Sequence, residues 1–467
     1  MSGATFRNDF TSGKIFPQII RFSLPLFLAN VLQVCYNVAD MAIVGHAMGQ
    51  IGLSAASIGG DVSHFLTFLA MGFSNAGQVI IAQYAGAKRE RSLERFIGTM
   101  FFFLTACALV LTVGCFFFRR QILVLMNTPA AAFDETLAYS TVCIIGLPFI
   151  YGYNIVSAVL RGLGDSRHPF LFIGVAAALN VVLDLAFVYG LQMGAAGAAV
   201  ATVISQSLSF LCCLAFIFRK REHYQLALHP RDFVRPDGEM LKKLIRLGVP
   251  MALKTASIWI SKLVLNSFIN AYGVAVSAFA GIAGKMNSIG NTASSAMNAA
   301  GAAMIAQNIG AEKYDRVPKI LKDVFLLAMG LAVLLSAVLV LFPREVFSLF
   351  TDEEEVLAIG LAYVPLGVMI FFSSAFRAAM NALINGCGNS RVNFIVAILD
   401  AFVLRLGLAF LFGMGFDMGY MGYWLGDGIA AYSPFFIGLG LYLSGRWKKS
   451  IIQGGPPEAE AEAELSD

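Results

Sequence analysis

The chain has 467 residues, of which 58% are hydrophobic and 13% charged, with a formal net charge of +4 and a mean hydropathy of +0.73. Soluble domains carry about 25% charged and 45–50% apolar residues, so this composition excludes a typical soluble enzyme, a nucleic-acid binder and a disordered scaffold. The apolar excess must face lipid, and the chain reads as an all-α polytopic integral membrane protein.

A helix needs about 20 apolar residues to cross a bilayer. Runs of that kind cover residues 15–45, 52–83, 95–118, 136–160, 169–190 and 194–218, then 244–271, 276–307, 320–343, 356–384, 393–413 and 419–445, which predicts twelve transmembrane helices. The first run is too long for the core of a cleavable signal, and no A-x-A-like site closes it, so it is expected to stay as a span. The expected organisation is an N-terminal six-helix lobe over 1–218, a cytoplasmic linker over 219–243, a C-terminal six-helix lobe over 244–449 and a disordered acidic tail over 450–467.

Lys and Arg set the orientation. The termini and the loops on their side hold 25 of the 33 cations, and the opposite side holds Arg119, Arg120 and Arg344, which places both termini in the cytoplasm of a multi-pass plasma-membrane protein. The five cations left lie inside predicted spans: Lys254, Lys262, Lys285, Arg377 and Arg405, all in the second half.

The chain is also an internal repeat. Ala82-Gln83-Tyr84-Ala85-Gly86-Ala87 returns as Ala306-Gln307-Asn308-Ile309-Gly310-Ala311, 224 residues later. Arg161-Gly162-Leu163-Gly164-Asp165-Ser166-Arg167 returns as Asn385-Gly386-Cys387-Gly388-Asn389-Ser390-Arg391 at the same offset, and Pro25 and Pro250 stand 225 apart. Six helices per repeat is an even number, so the halves enter the membrane in the same sense and are related by an axis along its normal. Two such lobes around a midplane cavity suit alternating access, and transport is the favoured class.

Charge at membrane depth is costly and marks functional sites. In the first half Asp40 shares a helical stripe with Gln33, Tyr36 and Asn37, while Asn180 and Asp184 form an i, i+4 pair and Thr202 and Ser205 add a polar edge. Apart from Arg21 and Arg95, which lie near the ends of their spans and are counted above with the termini and loops, no Lys or Arg lies in the first-half spans to neutralise these acids. Such a carboxylate takes up a proton readily, or binds sodium with nearby amide and hydroxyl oxygens. Asp61 and His64 read as a solvated helix end. In the second half the five cations face two embedded acids, Asp400 and Asp427. Asp400 and Arg405 lie five apart, not an ideal spacing for an α-helical pair, and two pairs would still leave three cations. Those cations either snorkel to an interface or form a basic cavity wall that selects anionic or zwitterionic cargo. Pro25, inside the first helix, permits bending.

The five histidines and seven cysteines form no HExxH or CxxC arrangement, so neither a metal site nor a disulfide framework is expected. There is no GxxxxGK and no nucleotide domain. A lipid-modifying enzyme would need an interfacial acid and histidine cluster, and only Asp61 with His64 comes near one.

With Pro25, Asp40-Met41-Ala42-Ile43-Val44-Gly45, the paired Ala-Gln loops and the duplicated Arg161–Arg167 turn, residues 10–445 resemble the multidrug and toxic compound extrusion (MATE) family, nearest its DinF-like branch. The resemblance implies two pseudo-symmetric six-helix lobes forming a V around a central cavity, and export of cationic or amphipathic compounds in exchange for protons or sodium. It implies a coupling-ion site of Asp40, Asn180, Asp184 and Thr202. The substrate cavity is expected to include Gln33, Tyr36, Asn37, Asn154, Lys254 and Arg377. The sequence departs from the sodium-coupled branch, which carries acids near the positions of Trp259 and Ser374, by having Lys254 and Arg377 nearby instead. The expected protein is a non-enzymatic, proton-driven secondary antiporter for small organic or xenobiotic molecules. It is expected to need no cofactor beyond the coupling ion, to contact membrane lipid and no nucleic acid, and to work as a monomer. The alternative is a flippase for a lipid-linked precursor, whose pyrophosphate would suit the basic residues.

Overall fold

A computed structural model of the chain describes residues 8–452, so the predicted disordered tail lies almost wholly outside the described residues. Among those residues the fold is all helical. Ile15–Gly86 is one run of 72 residues, broken at Gly49, whose φ of 63° and ψ of −144° suit glycine alone. Its arms are α1 (15–48) and α2 (50–86). The first set of six is completed by α3 (Glu90–Leu125), α4 (Phe133–Gly162), α5 (Arg167–Gly190) and α6 (Gly194–Arg219). The second set is α7 (Gly238–Asn270), α8 (Val274–Gly310), α9 (Val317–Leu341), α10 (Glu354–Gly386), α11 (Ser390–Gly415) and α12, which runs Gly419–Ala430 and Ser433–Leu443 with a break between them. The expected twelve spans are therefore all present as helices.

Two spans are not uniformly α-helical. α5 turns into a π-helix at Leu185–Gly190, directly after Asp184, and α11 is π-helical over Leu399–Leu406 and Leu411–Gly415. Wide turns of this kind cluster at functional positions in helices. Outward-facing residues such as Val110, Phe117 and Leu125 are 71%, 71% and 83% exposed. Apolar exposure on that scale is expected of a surface solvated by lipid.

The chain forms two compact units, and they do not divide at the linker. One consists of Leu28–Gly248 with the described residues before Phe10; the other consists of Phe10–Phe27 with the chain from Val249 onward. The crossings fall just after Pro25 and just before Pro250. In the second unit Phe10, Phe22 and Leu26 join the core of α8, α9 and α10. The Gln307 side chain accepts from the Phe10 N–H at 3.0 Å, and the Asn308 amide donates to the Phe10 carbonyl at 3.1 Å. The first unit holds the linker in the corresponding way: Arg91 pairs with Asp232 at 3.1 Å and Arg95 with Asp237 at 2.6 Å.

The duplicated Arg161–Arg167 turn is a helix start. Gly164 has a φ of 88° and Gly388, its repeat, 68°. Asp165 accepts from the backbone N–H groups of Arg167 at 3.0 Å and His168 at 3.2 Å, and from the Tyr224 hydroxyl of the linker. Asn389 caps α11 by accepting from the Val392 N–H at 3.2 Å.

Candidate functional site

The first unit gathers its embedded polar residues from three helices. α1 supplies Gln33, Tyr36, Asn37 and Asp40; α5 supplies Asn180 and Asp184 one turn apart; α6 supplies Thr202, Ser205 and Gln206. A small recess is lined by Tyr36, Asn180, Thr202, Ser205 and Gln206 together with apolar α5 residues. Asn180 sits at its centre, donating to Thr202 Oγ1 at 3.3 Å and to Asp184 Oδ1 at 3.5 Å. Gln206 donates to the Tyr36 hydroxyl at 3.4 Å, and Gln33 bonds the same phenol. Asp184 is fully buried, and Asp40 is 8% exposed and close enough to Asp184 for the two charges to interact.

This cluster is rich in acceptors. Asp40 Oδ1, Asn180 Oδ1, Asp184 Oδ2 and Ser205 Oγ are buried with no hydrogen-bond partner among the described residues. Neither aspartate forms an ion pair there. Buried polar atoms are almost always satisfied, so an all-oxygen set of this kind is a place where a proton or a small hard cation would be stabilised. Among the described residues no group of three or more His, Cys, Asp and Glu could hold a metal.

Other expected residues are placed differently. Asn154 donates to the Ile150 carbonyl of its own helix at 2.8 Å and does not line the recess. Asn37 is half-buried and Gln33 exposed. Pro25 stands about 22 Å along α1 from Asp40, at 1.5 Å rise per residue, while the break in the run is at Gly49, nearer to Asp40. Gln206 and Tyr139 were not singled out in the sequence as site residues. Gln206 was legible as the i+4 neighbour of Thr202 on a largely apolar helix, whereas Tyr139 comes within electrostatic reach of the acids only through the packing of α4.

The second unit has the opposite character. Arg405 is 1% exposed and takes both embedded acids, Asp400 at 3.3 Å and Asp427. Ser433 donates a further bond to Asp400 at 2.9 Å. The π-turn explains the Asp400 pair: a wider turn brings i and i+5 onto one face, which the α-helical spacing did not promise. One arginine therefore consumes both acids. Lys254, Lys262, Lys285 and Arg377 have no carboxylate partner among the described residues, four cations and not three. Lys254 donates to Asn381 Oδ1 at 2.8 Å and Asn385 Oδ1 at 3.5 Å, and Arg377 donates to Asn291 Oδ1.

The MatE family model matches the chain twice, over residues 25–186 and 250–411, starting at the two prolines. The probable multidrug resistance protein YpnP of Bacillus subtilis is 28% identical over 94% of this chain and 97% of its own length. A crystal structure of MATE in the bent conformation superposes with a TM-score of 0.86 at 24% identity, over 95% of this chain and 96% of that one. A MOP superfamily transporter from Pyrococcus furiosus, described as having a binding pocket of reverse polarity that suggests a different function, gives 0.86 at 24% identity, over 95% and 98%. At these identities the two structures speak to the fold alone.

Proposed function

This chain belongs to the MatE family of membrane transporters, and from that premise we propose that it is a cation-coupled secondary antiporter that exports small organic compounds by alternating access. Protons are the coupling ion in this reading. The observation that carries it is the pair Asp40 and Asp184, buried within electrostatic reach of each other, with unsatisfied oxygens and no ion-pair partner among the described residues. Two ionised carboxylates in a low-dielectric interior repel, and binding one or two protons relieves both the repulsion and the desolvation. Asn180 and Thr202 hold the Asp184 carboxylate in register as its charge changes.

The cycle starts with both acids ionised and cargo bound. Protons entering from outside neutralise them, cargo is released outward, and the protons leave to the cytoplasm. Each charge moved is worth about 2.3 kcal/mol per 100 mV. A force of ~150 mV per proton would sustain a cargo gradient of a few hundred-fold. The 25-to-3 distribution of Lys and Arg supports cytoplasmic termini in this reading, with the protein in the plasma membrane. The substrate is a small molecule, the transporter a monomer, and no cofactor other than the coupling ion enters the cycle.

The test is efflux of a fluorescent dye panel from proteoliposomes under imposed pH or sodium gradients, comparing wild type with Asp40→Asn. Transport that follows the pH gradient and is lost in the variant supports the reading. A variant that transports as well as wild type would remove Asp40 from the coupling site, and transport that follows sodium would reassign the ion.

A further inference from the structure

Of the four cations without a carboxylate partner, Lys285 is exposed and the other three lie on α7 and α10. Lys254 and Lys262 lie on α7 eight residues apart, so they share a face within about 80°. Arg377, Asn381 and Asn385 form an i, i+4, i+8 stripe on α10, and Asn291 and Asn298 form an i, i+7 stripe on α8. The bonds already described join the three helices into one network, and Asn385 closes it by donating to Asn298 Oδ1 at 3.4 Å. Lys254, Lys262 and Arg377 are half-buried, and Arg377 lies within electrostatic range of Arg405.

A count of donors and acceptors decides what this network lacks. An ammonium offers three N–H donors and a guanidinium five, with no acceptor on either. The contacts above use two donors of Lys254 and one of Arg377. Their partners are amide oxygens, which satisfy hydrogen bonds but neutralise no charge. The nearby acids are committed to Arg405. Asp400 and Asp427 are within electrostatic range of Lys254, Lys262 and Arg377, but with Arg405 these make four cations against two acids. Excess positive charge in a membrane interior is costly, so the cluster can take an anion.

We infer that Lys254 and Arg377, set in the Asn291, Asn298, Asn381 and Asn385 cage, bind the oxyanion of an organic anion carried as cargo. The guanidinium fork and the adjacent ammonium suit a carboxylate or a phosphate, which are recognised by the same paired N–H geometry. The apolar remainder of the cargo lies along the helices beside them. This inference rests on the transport reading and narrows its cargo from small organic compounds to organic anions.

The experiment separates the two. The full chain is placed in nanodiscs of phosphatidylcholine, and binding of carboxyfluorescein and of ethidium is read by fluorescence polarisation, which needs no ion gradient. Wild type is expected to bind carboxyfluorescein and to ignore ethidium. Lys254→Gln and Arg377→Gln are expected to weaken that binding at least tenfold. Lys254→Arg, which keeps the charge, stays within about threefold and controls for folding. Competition by benzoate or phenyl phosphate identifies the head group. Three results would overturn the inference: no binding of carboxyfluorescein to wild type, equal binding to the glutamine variants, or displacement by added phosphatidylglycerol, which would make the occupant a lipid. Normal anion binding with no response of wild-type transport to any ion gradient would sink the antiporter reading and leave the anion site standing.

Discussion

The two units share a repeat but are filled with opposite chemistry. In the first, two carboxylates and several lone oxygens sit without a cation among the described residues; in the second, one arginine absorbs both acids, and two half-buried cations, Lys254 and Arg377, are bonded to amides. At an offset of 225, Asp40 corresponds to Leu265 and Thr202 to Asp427, and at 224 Asp184 corresponds to Leu408. The duplication preserved what builds the helices and turns: the prolines, the Gly164 and Gly388 turns, the Asp165 and Asn389 caps. It did not preserve what charges them. In the proposed reading the repeated fold divides its labour, with acceptors for a coupling cation in one copy and donors for an anion in the other.

The sharpest way to break this comparison is to remove Arg405. Arg405→Met leaves the buried Asp400 and half-buried Asp427 without their bonded cation and is expected to destabilise the protein by about 3–5 kcal/mol, read as a fall in thermal unfolding midpoint or folded yield. Adding Asp400→Asn and Asp427→Asn is expected to restore most of that loss. An unchanged midpoint in Arg405→Met would mean that the second unit does not depend on its ion triad.

In the first unit the corresponding change should act on transport and spare stability. Asp184→Asn removes a charge that has no ion-pair partner, so its unfolding midpoint is expected to match or exceed wild type. Proton-driven efflux should fall by about 100-fold, on the order of the 2–3 kcal/mol per charge that the membrane potential supplies. A variant that unfolds easily and still couples would invert the assignment.

The caps should behave alike in both units, with smaller effects. Asp165→Ala removes the acceptor for two backbone N–H groups, His168 and the Tyr224 hydroxyl, and is expected to cost about 1–2 kcal/mol. Asn389→Ala loses the single cap bond to Val392 and should cost about 1 kcal/mol or less. Equal costs would show that the linker contact through Tyr224 adds nothing.

The smallest effect is expected at Pro25. Pro25→Ala restores a backbone donor inside a continuous helix, and stability should rise by no more than about 1 kcal/mol. With Pro25 four turns or more from Asp40, anion binding in the nanodisc assay should be unchanged. A large loss of binding would tie the α1 crossing to the cargo site.

The sequence alone determined the membrane class, the twelve helices and the duplication, because these depend on local composition and on matches at a fixed offset. It also singled out Asp40, Asn180, Asp184 and Thr202, since embedded polar residues are rare enough to stand out and i, i+4 spacing puts them on one face. Three things required the tertiary structure. The π-turn over Leu399–Leu406 lets Arg405 reach Asp400, and Asp427 joins from α12 only once the helices pack, so the number of unpaired cations could not be counted from spacing. The amide cage draws Asn residues from α8 and α10, which are neighbours in space through contacts that carry no sequence signature. The assignment of Phe10–Phe27 to the second unit likewise depends on Gln307, Asn308 and the α8–α10 core, whose contacts lie some 300 residues away along the chain. Local physics writes helices and charges into a sequence; which charge meets which partner is settled only when distant helices come together.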